Sequence, residues 1–172
     1  MNLITSRTLW ATSLLLASFA SHAGSNGYKM VVIAEDALAA PIQAGALTTA
    51  ISAATTQQAQ DPYARQMNLC VAYSKEGNID KAKDACHKAV TLVRQSGKRP
   101  AELQRELRSY AYSNRGVVRL LSGDNIGALA DFQRAHDIEA SVISQHNLGK
   151  LTAKLNDKTL LIASSNGAAA PE

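Results

Sequence analysis

Aromatic side chains, cysteine and catalytic motifs are scarce in this chain, and each shortage narrows the fold or the function. Aromatic residues make up only 5% of the 172 residues, although 46% are hydrophobic. β-Sheets favour aromatic and β-branched residues, whereas alanine, the most frequent hydrophobic residue here, is the best helix former. The composition therefore predicts an all-α protein of closely packed helices rather than a sandwich of sheets.

The motifs that accompany catalysis are also missing from the sequence. No serine or cysteine stands in a nucleophile motif, no CxxCH haem-attachment motif occurs, and no glycine-rich phosphate loop is found. His87, His136 and His146 are scattered over different predicted helices. We therefore predict a protein that is not an enzyme, with no catalytic residue, no cofactor and no metal site.

Charge gives little support to a nucleic-acid partner. The formal net charge is only +4, and a predicted export signal at the N-terminus contains Arg7 and no acidic residue. Proteins that bind nucleic acid normally concentrate basic side chains on one face, within a recognisable motif. We therefore predict no nucleic-acid binding.

A single long apolar run occurs, and it lies at the N-terminus. Arg7 stands in a short polar head, an apolar run covers residues 9–20, and Ser21-His22-Ala23 is a small-x-small ending. This pattern predicts a secretory signal peptide at residues 1–23, and hence a periplasmic or secreted protein. The alternative is an uncleaved anchor, but the run is shorter than the roughly 20 residues that span a bilayer. No other stretch predicts a membrane span after cleavage.

Only two cysteines are present, Cys70 and Cys86. In an oxidising compartment an even pair is most simply a disulfide. A turn centred near Gly77 would also place the two cysteines at matching heights on antiparallel helices. The alternatives are two buried free thiols, or metal ligation together with His87, although consecutive helical residues point about 100° apart.

Helix signals fill most of the remaining chain. Asp61-Pro62 is a typical helix start, and the predicted helices cover roughly residues 62–75, 80–95, 100–121, 126–139 and 141–155. Before them, residues 28–33 form a β-prone run. With no partner strand in sight, this run is expected either to lie extended against the helices or to cover the open end of their stack.

The helical part contains an internal repeat. Asn68-Leu69-Cys70, Asn114-Arg115-Gly116 and Asn147-Leu148-Gly149 align, and the set Gly77, Ala82, Cys86 and Ala89 matches the set Gly123, Ala128, Phe132 and Ala135. Such spacing predicts stacked helical hairpins. The pattern resembles the tetratricopeptide repeat (TPR), in which a Leu-Gly pair, a turn glycine and an Ala, aromatic, Ala series recur. Cysteine replaces the family's small residue at 70 and its aromatic at 86, as a disulfide would require.

The resemblance implies a short right-handed stack of antiparallel hairpins with a concave, peptide-binding groove. We therefore divide the chain into a signal peptide (1–23), an extended N-terminal segment (24–41), a TPR-like domain (42–155) and a disordered tail (156–172). The groove candidates carried over from the family are Met67, Asn68, Val71, Tyr110, Ser113, Asn114, Val117, His146, Asn147 and Lys150.

The recurring asparagines are the sharpest feature of this predicted groove. An amide donates and accepts hydrogen bonds at once, so a row of amides could hold the backbone of an extended ligand. The alternative is that Asn68, Asn114 and Asn147 only cap or bridge neighbouring hairpins.

The resemblance favours a non-catalytic scaffold that binds a protein or peptide in the cell envelope. One alternative is a structural protein that self-associates as a homo-oligomer through apolar residues at the end of the stack, Ile143, Leu151 and Leu155. A more remote alternative is a thiol redox protein that uses Cys70 and Cys86.

Overall fold

The computed structural model describes residues 27–95 and 99–167, with side chains as far as residue 160. The predicted signal peptide lies outside these residues. Within them the secondary structure is helical, without a strand, which confirms the all-α prediction. The helices are α1 (Ala39–Gln43), α2 (Leu47–Thr56), α3 (Pro62–Glu76), α4 (Ile79–Gln95), α5 (Ala101–Leu121), α6 (Asn125–Ile138) and α7 (Val142–Gly167). No helix in the described ranges is long and apolar enough to cross a membrane.

Local signals set the helix boundaries where the sequence predicted them. The Asp61 carboxylate accepts a hydrogen bond from the Tyr63 amide at 2.9 Å and so caps α3, with Pro62 as its first residue. Gly77 and Gly123 follow α3 and α5 and have positive φ angles of 84° and 85°. Glycine adopts this conformation without steric cost, which allows the chain to reverse within a few residues.

Consecutive helices pack on each other, and the alternate helices α3, α5 and α7 also touch. Contacts join α3 to α4, α4 to α5, α5 to α6 and α6 to α7, while α5 contacts both α3 and α7 directly. The helices α3, α5 and α7 therefore lie side by side and form one continuous face of the molecule. The part of this face that residues 27–33 cover is called the groove.

The two ends of the helical region differ from the prediction. The first helix begins at Ala39, inside the segment expected to be extended, and in the described part of that segment residues 28–33 form the one continuous run without helix, turn or bend. At the other end, α7 does not stop near Leu155 but runs to Gly167, through part of the predicted disordered tail. Residues 156–166 contain neither proline nor glycine, so nothing in this sequence interrupts the helix.

Cys70 and Cys86 form a disulfide between α3 and α4, with Cα atoms 5.0 Å apart, which confirms the predicted pair. Both side chains are buried in a cluster with Ala82, Ala85 and Val118.

We expect the Cys70→Ala/Cys86→Ala variant to lose about 3 kcal/mol of unfolding free energy, because the bridge closes a loop of 16 residues and restricts the unfolded chain. Urea unfolding with and without dithiothreitol measures this loss. Reductant should destabilise the natural chain and leave the variant unchanged. An equal response of both proteins to reductant would contradict the prediction.

Candidate functional site

The segment 27–33, here called the arm, lies across α3, α5 and α7 and is held by an asparagine of each helix. The Oδ1 atom of Asn147 accepts a hydrogen bond from the Lys29 amide at 2.8 Å, and its Nδ2 donates to the Lys29 carbonyl at 2.8 Å. Asn114 makes the same pair with Val31 at 2.8 and 2.9 Å. Asn68 does so with Ile33, also at 2.8 and 2.9 Å. We call this set of three asparagines the ladder.

The ladder holds every second residue, as an extended backbone requires. Successive side chains of an extended chain point to opposite sides. On one side, Tyr28, Met30 and Val32 reach clusters that include Val117, Phe132 and Leu151, or Leu38, Ile42 and Val71. On the other side, Val31 and Ile33 pack on the cluster that contains Met67, Tyr110 and Ile143. Both faces of the arm are therefore used.

Two of the ladder asparagines also connect the helices to one another. Asn147 Nδ2 donates to Ser113 Oγ at 2.9 Å and so links α7 to α5. Asn114 Nδ2 lies 3.9 Å from the Met67 sulfur atom, between α5 and α3. All three asparagines are 0% exposed. Asn114 and Asn147 thus contact an extended backbone, that of the arm, and also bridge neighbouring helices.

The N-terminal end of the arm reaches a basic and aromatic corner on α7 and α6. The Tyr28 ring stacks on Phe132, with centroids 5.8 Å apart and planes inclined by 16°. Lys150 Nζ lies 5.7 Å from the centroid of the Tyr28 ring, and His146 Nε2 donates to the Gly27 carbonyl at 2.8 Å. Burial raises the pKa of the Tyr28 phenol. The phenol therefore stays neutral at physiological pH.

The other end of the arm is fixed by a buried ion pair that the sequence did not predict. Asp36, three residues after Ile33, accepts a hydrogen bond from Arg65 Nε at 2.9 Å, and the two side chains are 3% and 7% exposed. Its Oδ1 atom also accepts from Asn68 Nδ2 at 3.3 Å and from the Leu38 amide at 3.1 Å. Asp36 therefore joins the turn after the arm to α3.

The remaining predicted groove residues lie at the same face, but most are covered. The buried ones are Met67, Val71, Tyr110, Ser113 and Val117. Tyr110 donates from its hydroxyl to Glu106 at 2.7 Å, and burial together with this bond raises its pKa. Only His146 and Lys150, at the Tyr28 end, keep appreciable exposure. The prediction assumed an open groove, whereas the arm fills the space above these side chains.

Most of the residues named for the two alternative functions are buried, and Leu155 is half-buried. Ile143 is 5% exposed and Leu151 is 0% exposed, because both belong to the clusters under the arm. The apolar end expected to mediate self-association is therefore covered at these two positions. Cys70 and Cys86 are 0% and 1% exposed, so a thiol reagent has no direct path to the sulfur atoms.

The sequence predicted the extended arm but not the Asp36–Arg65 ion pair that fixes its end, here called the anchor. The apolar run at residues 28–33 indicated an extended segment, and the repeated asparagines indicated backbone recognition. Asp36 and Arg65 stand in no repeat or motif, and only the fold brings them together.

A comparison of the chain with protein-family models, curated proteins and solved structures finds no match in any of the three.

Proposed function

We propose that this protein is a non-catalytic protein- or peptide-binding module of the cell envelope, with a TPR-like groove that takes an extended chain segment. The ladder is the observation that carries this proposal. Each of its asparagines satisfies both the amide and the carbonyl of one backbone residue, and the three sites are spaced for alternate residues of one extended chain. Backbone recognition of this kind accepts many sequences.

The arm is a resident ligand that an incoming segment has to displace. Its only covalent connection to the helices passes through Ala34 and Glu35, which are both exposed. An incoming backbone would remake the same pairs of hydrogen bonds, so the exchange of one extended segment for another leaves no buried polar group unsatisfied. The apparent affinity for an external segment is lowered by the fraction of molecules whose arm is docked.

Two features support a location outside the cytoplasm. The pattern of residues 1–23 is that of an export signal. The buried disulfide between α3 and α4 belongs to oxidising compartments, since cytosolic thiols are kept reduced. The proposed partners are therefore other exported polypeptides.

The test uses a chain with a weakened arm and a synthetic peptide of residues 27–33. Met30→Asp and Val32→Asp remove apolar contacts of the arm and leave the groove itself unchanged. We expect the labelled peptide to bind this variant, as measured by fluorescence anisotropy. Binding to the natural chain should be much weaker, because the docked arm competes.

Two N-methylated peptides provide the matched comparison. Methylation of the Val31 amide removes the donor for Asn114, whereas methylation of the Val32 amide alters a neighbouring valine outside the ladder. We expect the first peptide to bind at least about tenfold more weakly than the second, because a buried acceptor is left unsatisfied. Equal affinities, or no binding to a variant of natural helicity, would contradict the proposed function.

A further inference from the structure

The arm lies in the groove in one direction, and the ladder defines that direction only at Asn68. Reversing an extended chain exchanges the places of N–H and C=O, and an asparagine amide can serve either arrangement by rotating its side chain. Asn68 is held in one orientation, because its Nδ2 also donates to the Asp36 carboxylate, which can only accept. Along the rest of the arm the direction comes from the side chains of the bound segment and from the pockets that receive them. The pockets under the arm differ along its length.

The pocket at the α7 end is shaped for a flat ring. Tyr28 is 7% exposed, stacks on Phe132 and has Lys150 over its ring. Aromatic rings gain energy from such offset packing beyond the area they bury, and a cation above the ring adds further attraction. A branched aliphatic side chain would lose both contributions. The first pocket thus selects for an aromatic residue.

After Tyr28, the groove selects for apolar side chains at positions 30–33 of the arm but not at position 29. Met30 packs against three clusters at once, including the one around the disulfide, and Val32 packs on the cluster that contains Leu38 and Ile42. Val31 and Ile33 pack on the opposite side. Lys29 belongs to none of these clusters and is held through its backbone. Its position therefore accepts any side chain that leaves the backbone extended.

We propose that the groove binds an extended segment of another exported polypeptide with an aromatic residue first, any residue second and apolar residues at the next four positions, running from α7 towards α3. This inference rests on the proposed function and specifies its ligand. The arm, whose sequence from Tyr28 to Ile33 has this pattern, serves as the internal competitor. A ligand needs the same pattern in the same direction to replace it.

Four peptides test the pattern on the Met30→Asp/Val32→Asp chain. The parent peptide covers residues 27–33, and the others carry Tyr28→Ala, carry Lys29→Glu or have the parent sequence in reverse order. We expect the Tyr28→Ala and reversed peptides to bind at least about tenfold more weakly than the parent. The Lys29→Glu peptide should stay within about threefold, because its side chain lies outside the apolar clusters.

The outcomes separate this inference from the proposed function. If the parent peptide binds and Val31 methylation weakens it, while the reversed and Tyr28→Ala peptides bind as well as the parent, the pattern is wrong and backbone recognition stands. If no peptide binds, both fail. A rise in the mass of the natural chain on concentration that Met30→Asp/Val32→Asp abolishes would identify a second copy's arm as the occupant and overturn the assignment to another polypeptide.

The requirement for an aromatic residue at position 28, and the tolerance at position 29, can also be measured in the full chain without the Met30→Asp/Val32→Asp substitutions. In otherwise natural protein, Tyr28→Ala should increase hydrogen exchange at the Lys29 and Val31 amides at least about tenfold, because the arm opens more often. Lys29→Glu should leave both rates unchanged. Equal exchange rates in the two variants would contradict a pattern read by the first pocket.

Discussion

Asp36→Ala is expected to lower the free energy of unfolding by about 3–5 kcal/mol, because it leaves the Arg65 guanidinium buried without its partner. Arg65 is 6% exposed, and its Nε donates to Asp36. The guanidinium keeps one further short bond, from Nη1 to the Gln57 carbonyl at 2.8 Å, but that acceptor carries no charge. Urea unfolding followed by circular dichroism measures the loss.

The neighbouring acid gives a matched control. Glu35→Ala removes a carboxylate one residue away that is exposed, so its effect should stay within about 0.5 kcal/mol. The double variant Asp36→Ala/Arg65→Met should recover much of the stability, since an apolar side chain can replace a buried ion pair at little cost. Equal losses for Asp36→Ala and Glu35→Ala would show that the ion pair contributes little.

The Asp36–Arg65 ion pair also connects the stability of the fold to the docking of the arm. Asp36 accepts from Asn68 Nδ2, the same group that donates to the Ile33 carbonyl. Removing Asp36 should therefore loosen the last step of the ladder, with faster hydrogen exchange at the Ile33 amide than in the Glu35→Ala chain. Opening the arm in this way is also expected to increase the affinity of the natural groove for the peptide of residues 27–33.

Much of this fold could be predicted because its signals are local. Gly77 and Gly123 end helices in a conformation that glycine favours, and Asp61-Pro62 begins one. The disulfide was also predictable, since Cys70 and Cys86 lie 16 residues apart on either side of a predicted turn. Each of these features depends on residues within one hairpin, so the spacing in sequence is nearly the spacing in space.

The sequence predicted the two parts of the site separately, but not that they bind each other. The sequence indicated an extended run at residues 28–33 and a row of asparagines, but not that the first would fill the groove of the second. The bonds between them join residues 35, 83 and 118 positions apart. No local pattern encodes such distances. The groove residues were accordingly expected to be open, and the Asp36–Arg65 pair was missed.

Gly116 and Phe132 show how the repeat positions act in packing. A Cβ atom added to Gly116 would lie 2.5 Å from a ring carbon of Phe132, so the ring rests directly on the backbone of α5. The corresponding positions of the preceding hairpin are Cys70 and Cys86, which are bonded to each other. A close aromatic contact in one hairpin and a covalent bond in the other therefore fill equivalent places between paired helices.

Phe132→Ala should cost about 3–5 kcal/mol of unfolding free energy, because the ring is fully buried and its removal leaves a cavity that the helices cannot close. The ring is 0% exposed and packs with Val117, Ala128 and Leu151. The exposed neighbour Gln133 provides the control, since Gln133→Ala should change stability by no more than about 0.5 kcal/mol.

The arm makes the effect of Phe132→Ala more than a loss of core packing. The Tyr28 ring stacks on Phe132, so a double-mutant cycle with Tyr28→Ala should show a coupling of about 0.5–1.5 kcal/mol. Hydrogen exchange at the Lys29 amide should be faster in the Phe132→Ala chain than in the natural chain. The Ile33 amide, at the far end of the ladder, should respond less. Additive losses and an unchanged Lys29 amide would mean that Phe132 supports the helices alone, and that the first pocket does not hold the arm.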